Sequence, residues 1–355
     1  MSGPKVILLN DTSSFNHHGS NIVVEQIRRH CERQGLSLWH TVKSDVDWRT
    51  ERHRKRLEES DIVLVNGEGM ICNNRKLALT LAQSATFCRE RGIRCFLINS
   101  VYQDNSEEMA DLVRQFDLVF VRESRSLTEL RNEGIDGEVV PDMVLSRPDL
   151  PPAARNGLMV TDSSCNAAAA QLHDFYTRTH GAELASLFRP IPPSQALRKF
   201  VARVIGKRAA KRWRLDWHRF GKLRNPLFDA APLESVDDLL RRISSKSLIV
   251  TGRFHMVCMA MLARTPFIAL PGNTHKIEGM LADAELTNRY RSSLPDGHDL
   301  LAWSNWCDDE VTRIEAYVQD ARSRISRMFS RIAQVATAYL LSIDPLLDCC
   351  DLIML

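Results

Sequence analysis

The sequence predicts an α/β protein built from two similar domains. Short apolar runs alternate with segments of helical periodicity, which is the pattern of a parallel sheet with helices on its faces. The 355 residues suit two domains of about 150 residues each better than a single core. A proline-rich stretch, 148–156, separates two such alternations. We therefore expect two Rossmann-like domains facing a cleft, 1–147 and 157–307, followed by a C-terminal helix and apolar tail over 308–355.

The first half contains the clearer alternation. Its first helix is expected over 20–34, where Ile22, Val23 and Ile27 recur on one face and Gly35 ends the pattern. Ser20 and the residue after it are of the types that cap a helix. Strands are expected at 5–10, 36–42, 61–66, 94–99, 118–122 and 137–140, with helices between them.

The second half opens after a stiff hinge, because three prolines fall between 148 and 152. A strand is expected at 157–161, and the alternation continues through 239–244. A buried strand at 247–251, a short apolar helix, a second buried strand at 267–270 and a helix beginning near His275 follow. From 308 to about 341 a helical pattern runs without Gly or Pro, so we expect one long helix there.

The amino-acid composition limits which classes of protein are possible. An apolar content of 44% with 26% charged residues is ordinary for a globular chain. No run approaches 18 apolar residues and the amino end has no basic flank, so we expect a cytoplasmic protein without a signal peptide or spanning helix. The nine cysteines form no C-x-x-C pair and no Cys/His cluster at zinc spacing, which indicates reduced thiols and no metal site.

The most informative turn carries Arg253, Phe254 and His255. It follows a buried strand and begins an apolar helix, and ligands of open α/β sheets bind at such strand ends. A helix N-terminus attracts anions through its free N–H groups. Arg253 can grip a carboxylate or phosphate with two hydrogen bonds, and His255 can exchange a proton near neutral pH. The turn predicts a site for an anionic small molecule.

Three strand ends of the first half are also polar. Two glycines around Glu68 let the backbone approach a ligand, and Arg122 ends the fifth strand. A surface loop, a tight turn with Glu68 in solvent and a surface arginine are the plain structural alternatives. The candidate binding residues in the loop after the first strand and the turn after the third strand are Asp11, Asn16, His17, His18, Gly19, Ser20, Gly67 and Gly69.

These turns together resemble the polysaccharide pyruvyl transferase family. The resemblance rests on Val121-Arg122-Glu123-Ser124, Val140-Pro141-Asp142, Thr251-Gly252-Arg253-Phe254-His255, Pro266-Phe267-Ile268-Ala269-Leu270 and Lys276-Ile277, and it spans most of residues 5–285. It implies a two-domain fold similar to that of the GT-B glycosyltransferases. It also implies an enzyme of surface-glycan synthesis that moves pyruvate from phosphoenolpyruvate onto a sugar as a ketal. Arg253 and His255 match the family's donor-site motif, and Arg122 matches a strand-end arginine assigned to the donor.

Physical chemistry assigns roles within that reaction. Two arginines and a helix N-terminus match the charges of the carboxylate and phosphate of phosphoenolpyruvate. Phe254, which lies between Arg253 and His255 in the motif, is a further candidate donor-binding residue. His255 is the candidate acid, and Glu68, Asp11 or His18 is the candidate base. No cofactor or metal is expected.

Two other functions use the same residues. A nucleotide-sugar glycosyltransferase would hold its donor phosphate with Arg253 and Lys276, while Asn273 and Glu278 would complete the donor side. A non-catalytic binding protein of a glycan pathway would keep the fold without the chemistry.

The segment 196–224 is strongly basic. It holds eleven Lys or Arg residues against one Asp, interleaved with Trp, Phe and Leu, in a chain of net charge +3. This pattern is typical of an interfacial helix on an anionic membrane. The plain alternative is a solvated helix. Basic charge alone does not indicate nucleic-acid binding, so we expect no nucleic-acid partner. We expect peripheral binding at the inner face of the cytoplasmic membrane and a lipid-linked glycan acceptor.

Overall fold

A computed structural model describes residues 3–15, 17–151, 153–188, 235–294 and 300–343. The first half contains, in chain order, β1 (Lys5–Asp11), α1 (His18–Arg33), β2 (Ser37–Lys43), α2 (Glu51–Glu58), β3 (Ile62–Glu68), α3 (Lys76–Arg89), β4 (Arg94–Ser100), α4 (Glu107–Val113), β5 (Leu118–Val121), α5 (Ser124–Asn132) and β6 (Glu138–Val139). The described part of the second half contains β7 (Leu158–Ser163), α6 (Asn166–Arg178), β8 (Glu183–Leu184), α7 (Val236–Ser244), β9 (Leu248–Gly252), α8 (Phe254–Leu262), β10 (Phe267–Ala269), α9 (Lys276–Asp283), α10 (Leu300–Trp303) and α11 (Asp308–Ile343).

Both halves are built on parallel sheets. In the described ranges, the first sheet has six strands in the order β2-β1-β3-β4-β5-β6, and the second has four in the order β10-β9-β7-β8. All the strand pairings within them are parallel, so the carboxyl ends of the strands share one edge of each sheet. The predicted α/β class with two such units is confirmed. The long C-terminal helix is confirmed as well, since α11 spans 36 residues.

One hydrophobic core continues from the first half into the second. Ile22 of α1, Val257 of α8 and Phe329 of α11 belong to the same buried cluster. On the opposite face of the first sheet a separate cluster packs α3 and α4 against the strands. The C-terminal helix also bonds to the first half, where Arg324 donates to the carbonyl of Val139 at 3.3 Å. The helix therefore ties the two halves together.

Polar contacts between α5 and α9 join the first half to the second half at a second place. The Ser124 amide donates to Asp283 at 2.9 Å, and Arg125 pairs with Glu278. His275, just before α9, lies 3.2 Å from a carboxylate oxygen of Glu123. This contact places the N-terminus of α9 against the carboxyl ends of the first sheet.

Two of the predicted boundaries that differ from the structure lie next to the predicted site. The first helix begins at His18 instead of Ser20, because the Nδ1 of His17 accepts the amide of Ser20 at 3.2 Å and so caps the helix. The third strand continues through Glu68, because that residue still pairs with Ser100 of β4. Gly67 and Glu68 are therefore the end of a strand, and the turn begins at Gly69.

Some expectations fall outside the described residues. These are the basic segment 196–224, the tail 344–355 and Asn16. Within the described ranges, no helix is long and apolar enough to cross a membrane. The cysteines described there are free thiols, and no cluster of His, Cys, Asp and Glu in those ranges has the composition of a metal site.

Candidate active site

Arg122, directly after β5, is the central cation of the site. Its side chain is only 1% exposed, and its Nη1 donates to Asp142 Oδ2 at 2.8 Å. The ring of Phe254 lies 4.6 Å from its guanidinium carbon, so a residue of the second half covers it. Its Nε and Nη2 are buried without a hydrogen-bond partner among the described residues. Buried N–H groups left unpaired are costly, which indicates that a ligand completes them.

Lys276 brings a second cation to the same point. The position that a Cβ of Gly69 would occupy is 3.3 Å from Lys276 Nζ and 3.7 Å from Arg122 Nη2. Lys276 donates to Asn273 Oδ1 at 2.6 Å and to Thr274 Oγ1 at 3.0 Å, and no carboxylate pairs with it in the described part of the chain. Burial, reinforced by the neighbouring charge of Arg122, lowers the pKa of Lys276 to about 7. Two cationic groups that converge at a glycine are suited to binding an anion.

Arg253, after β9, is held by a carboxylate of its own half. Its Nε donates to Asp162 Oδ1 at 2.6 Å and its Nη2 to the other oxygen of that carboxylate. Both side chains are nearly buried, and Phe188 lies 5.4 Å from the guanidinium carbon. The pair uses one edge of the guanidinium and leaves Nη1 outside it, so Arg253 can give a ligand one nitrogen without breaking the pair.

His255, in the first turn of α8, reaches back to the first half. Its Nε2 lies 3.7 Å from Oδ2 of the fully buried Asp142. Burial alone would raise the pKa of Asp142, but His255 and Arg122 more than offset this and hold that pKa well below its usual range. The other side of the ring lies against Gly19, where any Cβ would come well within 3.0 Å of it. Gly19 thus leaves the space that His255 fills.

The two histidines of the first loop lie at the same junction. The ring of His17 is 5.4 Å from that of His255 and 5.0 Å from that of Phe188. Burial, together with the charges of His255 and Arg253, lowers the pKa of His17 well below its usual value. His18 is fully buried, and its amide donates to the carbonyl of Leu187 at 2.8 Å. His17 is therefore a neutral cap.

Glu68 is fixed at the end of β3 by three donors. Thr12 donates to one of its oxygens, while Ser20 and the amide of Asn66 each lie 3.4 Å away. Its φ is +43°, in the left-handed region that costs a non-glycine residue free energy and recurs at functional sites. The contact with Ser20 links Glu68 to the first turn of α1.

The other predicted residues occupy different positions. Asp11 is paired with Lys43 at 2.6 Å, and hydrogen bonds from Lys43 and Ser13 outweigh burial and lower its pKa. Glu278 lies in the contact of α5 and α9, where Arg125 pairs with it. Asn273 is exposed beside Lys276, and Gly67 faces the side chain of Ser100.

Sequence reasoning missed several polar residues at strand ends. Asp142 and Asp162 neutralise the two arginines, and neither was singled out as a site residue. Asn10 donates to the carbonyl of Asn66 at 2.5 Å, and Asn99 donates to the Asn66 side chain at 3.2 Å. Each of the asparagines and Asp162 lies in the last three residues of a buried strand, which is the signal that could have identified them.

A buried arginine with unpaired nitrogens, a second cation and a histidine–carboxylate pair thus meet where two α/β units join. Fold and site define an α/β protein of two parallel sheets with cationic side chains converging at their junction. The model of the family described as polysaccharide pyruvyl transferase matches residues 17–273, more than half of the chain. The chain belongs to the polysaccharide pyruvyl transferase family.

Solved structures show only distant likenesses, and no curated protein matches the chain. An uncharacterized protein from Klebsiella pneumoniae is 13% identical with a TM-score of 0.44, over 82% of this chain and 92% of that one. UDP-GlcNAc 2-epimerase from Methanocaldococcus jannaschii is 12% identical with a TM-score of 0.46, over 94% and 99%. A UDP-glucosyltransferase from Polygonum tinctorium is 10% identical with a TM-score of 0.48, over 94% and 97%. Likenesses at this level say nothing about the chemistry of this chain.

Proposed function

We propose that this protein transfers pyruvate from phosphoenolpyruvate to two hydroxyl groups of a sugar, forming a ketal. The observation that carries the proposal is the convergence of Arg122 Nη2 and Lys276 Nζ at Gly69. Among the described residues, no carboxylate pairs with either of these two nitrogens. The donor has a carboxylate and a phosphate, so it needs two cationic contacts close together. Arg253 adds a third cation from the second half.

The residues suit the proton transfers of this reaction. His255 protonates the methylene carbon of phosphoenolpyruvate, which makes its central carbon an electrophile. A sugar hydroxyl then attacks that carbon and loses its proton to Glu68, forming the first new C–O bond. The second hydroxyl attacks, the bond to phosphate breaks, and phosphate leaves with one proton. Arg122 and Lys276 stabilise the departing phosphate in this scheme.

We propose a lipid-linked glycan as the acceptor and peripheral membrane binding through the segment 196–224. The support is its composition, eleven basic residues interleaved with aromatic and aliphatic ones. Deleting 196–224 should abolish sedimentation with anionic liposomes while turnover of a soluble acceptor persists. Unchanged sedimentation would overturn the membrane proposal and leave the transfer reaction untouched.

The donor is tested by thermal shift. Phosphoenolpyruvate is compared with a panel of nucleotides and nucleotide sugars on the wild type, on Arg122→Ala and on Arg131→Ala, an exposed arginine of α5 that serves as a surface control. A ligand at 100 times its dissociation constant stabilises the fold by about 2.7 kcal/mol, which a shift in Tm reports. We expect phosphoenolpyruvate to raise Tm in the wild type and in the Arg131 variant but not in the Arg122 variant. Stabilisation by nucleotides alone would contradict the pyruvyl assignment and favour a glycosyltransferase.

A further inference from the structure

We infer that Asp142 is a positioning residue that holds Arg122 and His255 in their working arrangement across the two halves. The inference rests on the proposed function and adds a carboxylate that touches neither substrate. Asp142 lies between β6 and β7, and its side chain is fully buried.

The two oxygens of Asp142 have separate tasks. Oδ1 accepts the backbone amide of Val144 at 2.9 Å, which caps the short turn Met143–Ser146 and fixes the carboxylate. Oδ2 is thereby aimed at two cationic groups, Arg122 Nη1 at 2.8 Å and His255 Nε2 at 3.7 Å. A carboxylate locked by the backbone can therefore hold two side chains from different halves.

For Arg122, Asp142 sets the orientation of the guanidinium group. With Nη1 bonded to Asp142 and the face of the guanidinium covered by Phe254, the group cannot rotate freely. Its unpaired Nη2 is then directed to Gly69, where Lys276 Nζ also lies. The geometry of the anion site is thus set by a residue outside it.

For His255, Asp142 affects the position of the ring. The Nε2 of His255 lies 3.7 Å from Oδ2 of Asp142 and has no hydrogen-bond partner among the described residues. The same ring lies against Gly19 in the first turn of α1. The candidate acid is therefore placed between a fixed carboxylate and the start of a first-half helix.

Asp142→Asn tests the inference because it keeps the shape and the bond from Val144 while removing the charge. We expect kcat to fall on the order of 10²-fold and the KM for phosphoenolpyruvate to rise, because Arg122 and His255 both lose the carboxylate that positions them. A buried carboxylate that only stabilises the fold would lower the free energy of unfolding and leave kcat and KM of the folded variant near the wild-type values. Asp162→Asn is the matched control: it removes the carboxylate beside Arg253 and should raise KM with a smaller effect on kcat. Asp142→Glu, which keeps the charge, should recover part of the lost kcat.

A second measurement separates this inference from the donor assignment. In a crystal structure of Asp142→Asn without any donor, the guanidinium of Arg122 and the ring of His255 should leave their wild-type positions. Unchanged positions in a folded variant would overturn the inference even if pyruvyl transfer is observed. Lack of turnover with phosphoenolpyruvate in the wild type, combined with displaced side chains in the variant, would overturn the proposed function alone. If Asp142→Asn does not fold, Asp142→Glu decides: wild-type kcat and KM would then overturn the inference.

Discussion

Gly19, in the first turn of α1, lies directly against the imidazole of His255 from the other half of the molecule. A Cβ at this glycine would approach the ring to well within 3.0 Å, a distance that packed atoms do not tolerate. The start of α1 thus determines the position of His255, the candidate acid from the second half.

Gly19→Ala should therefore displace His255. We expect a loss of about 1–3 kcal/mol in the free energy of unfolding, typical of overpacking, together with a fall in kcat. Denaturant unfolding and steady-state kinetics measure the two effects. Gly272→Ala is the control, because the nearest atom to its added Cβ would be 3.4 Å away, an ordinary contact. Full activity in Gly19→Ala would show that His255 does not need its present position.

Lys276 should make donor binding depend on pH. Its pKa is lowered to about 7, so in the free protein it is charged below that pH and largely neutral above it. Anion binding favours the charged form, so the Kd for phosphoenolpyruvate should rise as pH increases from 7 to 9. The donor itself stays fully ionised in this range, since the second pKa of a phosphate monoester is about 6.

Lys276→Arg is the matched variant, because an arginine remains charged throughout this range. Isothermal titration calorimetry should show a Kd for phosphoenolpyruvate that is nearly constant from pH 7 to 9 in this variant. The same pH dependence in both proteins would mean that Lys276 does not govern donor affinity.

Glu68 and Asp11 are both candidate bases, and the structure separates them. Glu68→Gln should lower kcat on the order of 10²-fold, as expected for loss of a general base. Asp11→Asn should leave kcat within a few-fold of the wild type, because Asp11 is already paired with Lys43 and bonded by Ser13. Steady-state kinetics on both variants decide between them. The reverse order of effects would assign the base to Asp11.

His17 should act as a helix cap and not as a titrating group. His17→Ala should cost about 1 kcal/mol of unfolding free energy, the usual loss when a capping side chain is removed. His17→Asn should retain most of it, since an asparagine oxygen can accept the Ser20 amide that His17 now accepts. Chemical denaturation measures both. An equal loss in the two variants would indicate that the ring packing with Phe188 matters more than the cap.

The strand, turn and helix around Arg253 were predictable because their signals are local. A buried run followed by a polar turn and an apolar helix can be identified within a dozen residues, and β9 and α8 lie where the pattern placed them. The start of α1 was misplaced by two residues because histidine is not among the side chains usually preferred as caps. Glu68 was identified, but its place within β3 depends on pairing with β4.

The sequence by itself determined the α/β class, the two parallel units, the long C-terminal helix and the family, since periodicity and short motifs specify these. It also indicated the cations of the site. Only the tertiary structure decided which carboxylate neutralises which cation: Asp162 lies 91 positions from Arg253, and Asp142 lies 20 positions from Arg122. Ion pairing depends on distances of a few ångströms between groups that only the folded chain brings together. For that reason the nitrogens left unpaired, where a ligand would bind, could not be identified from the order of residues.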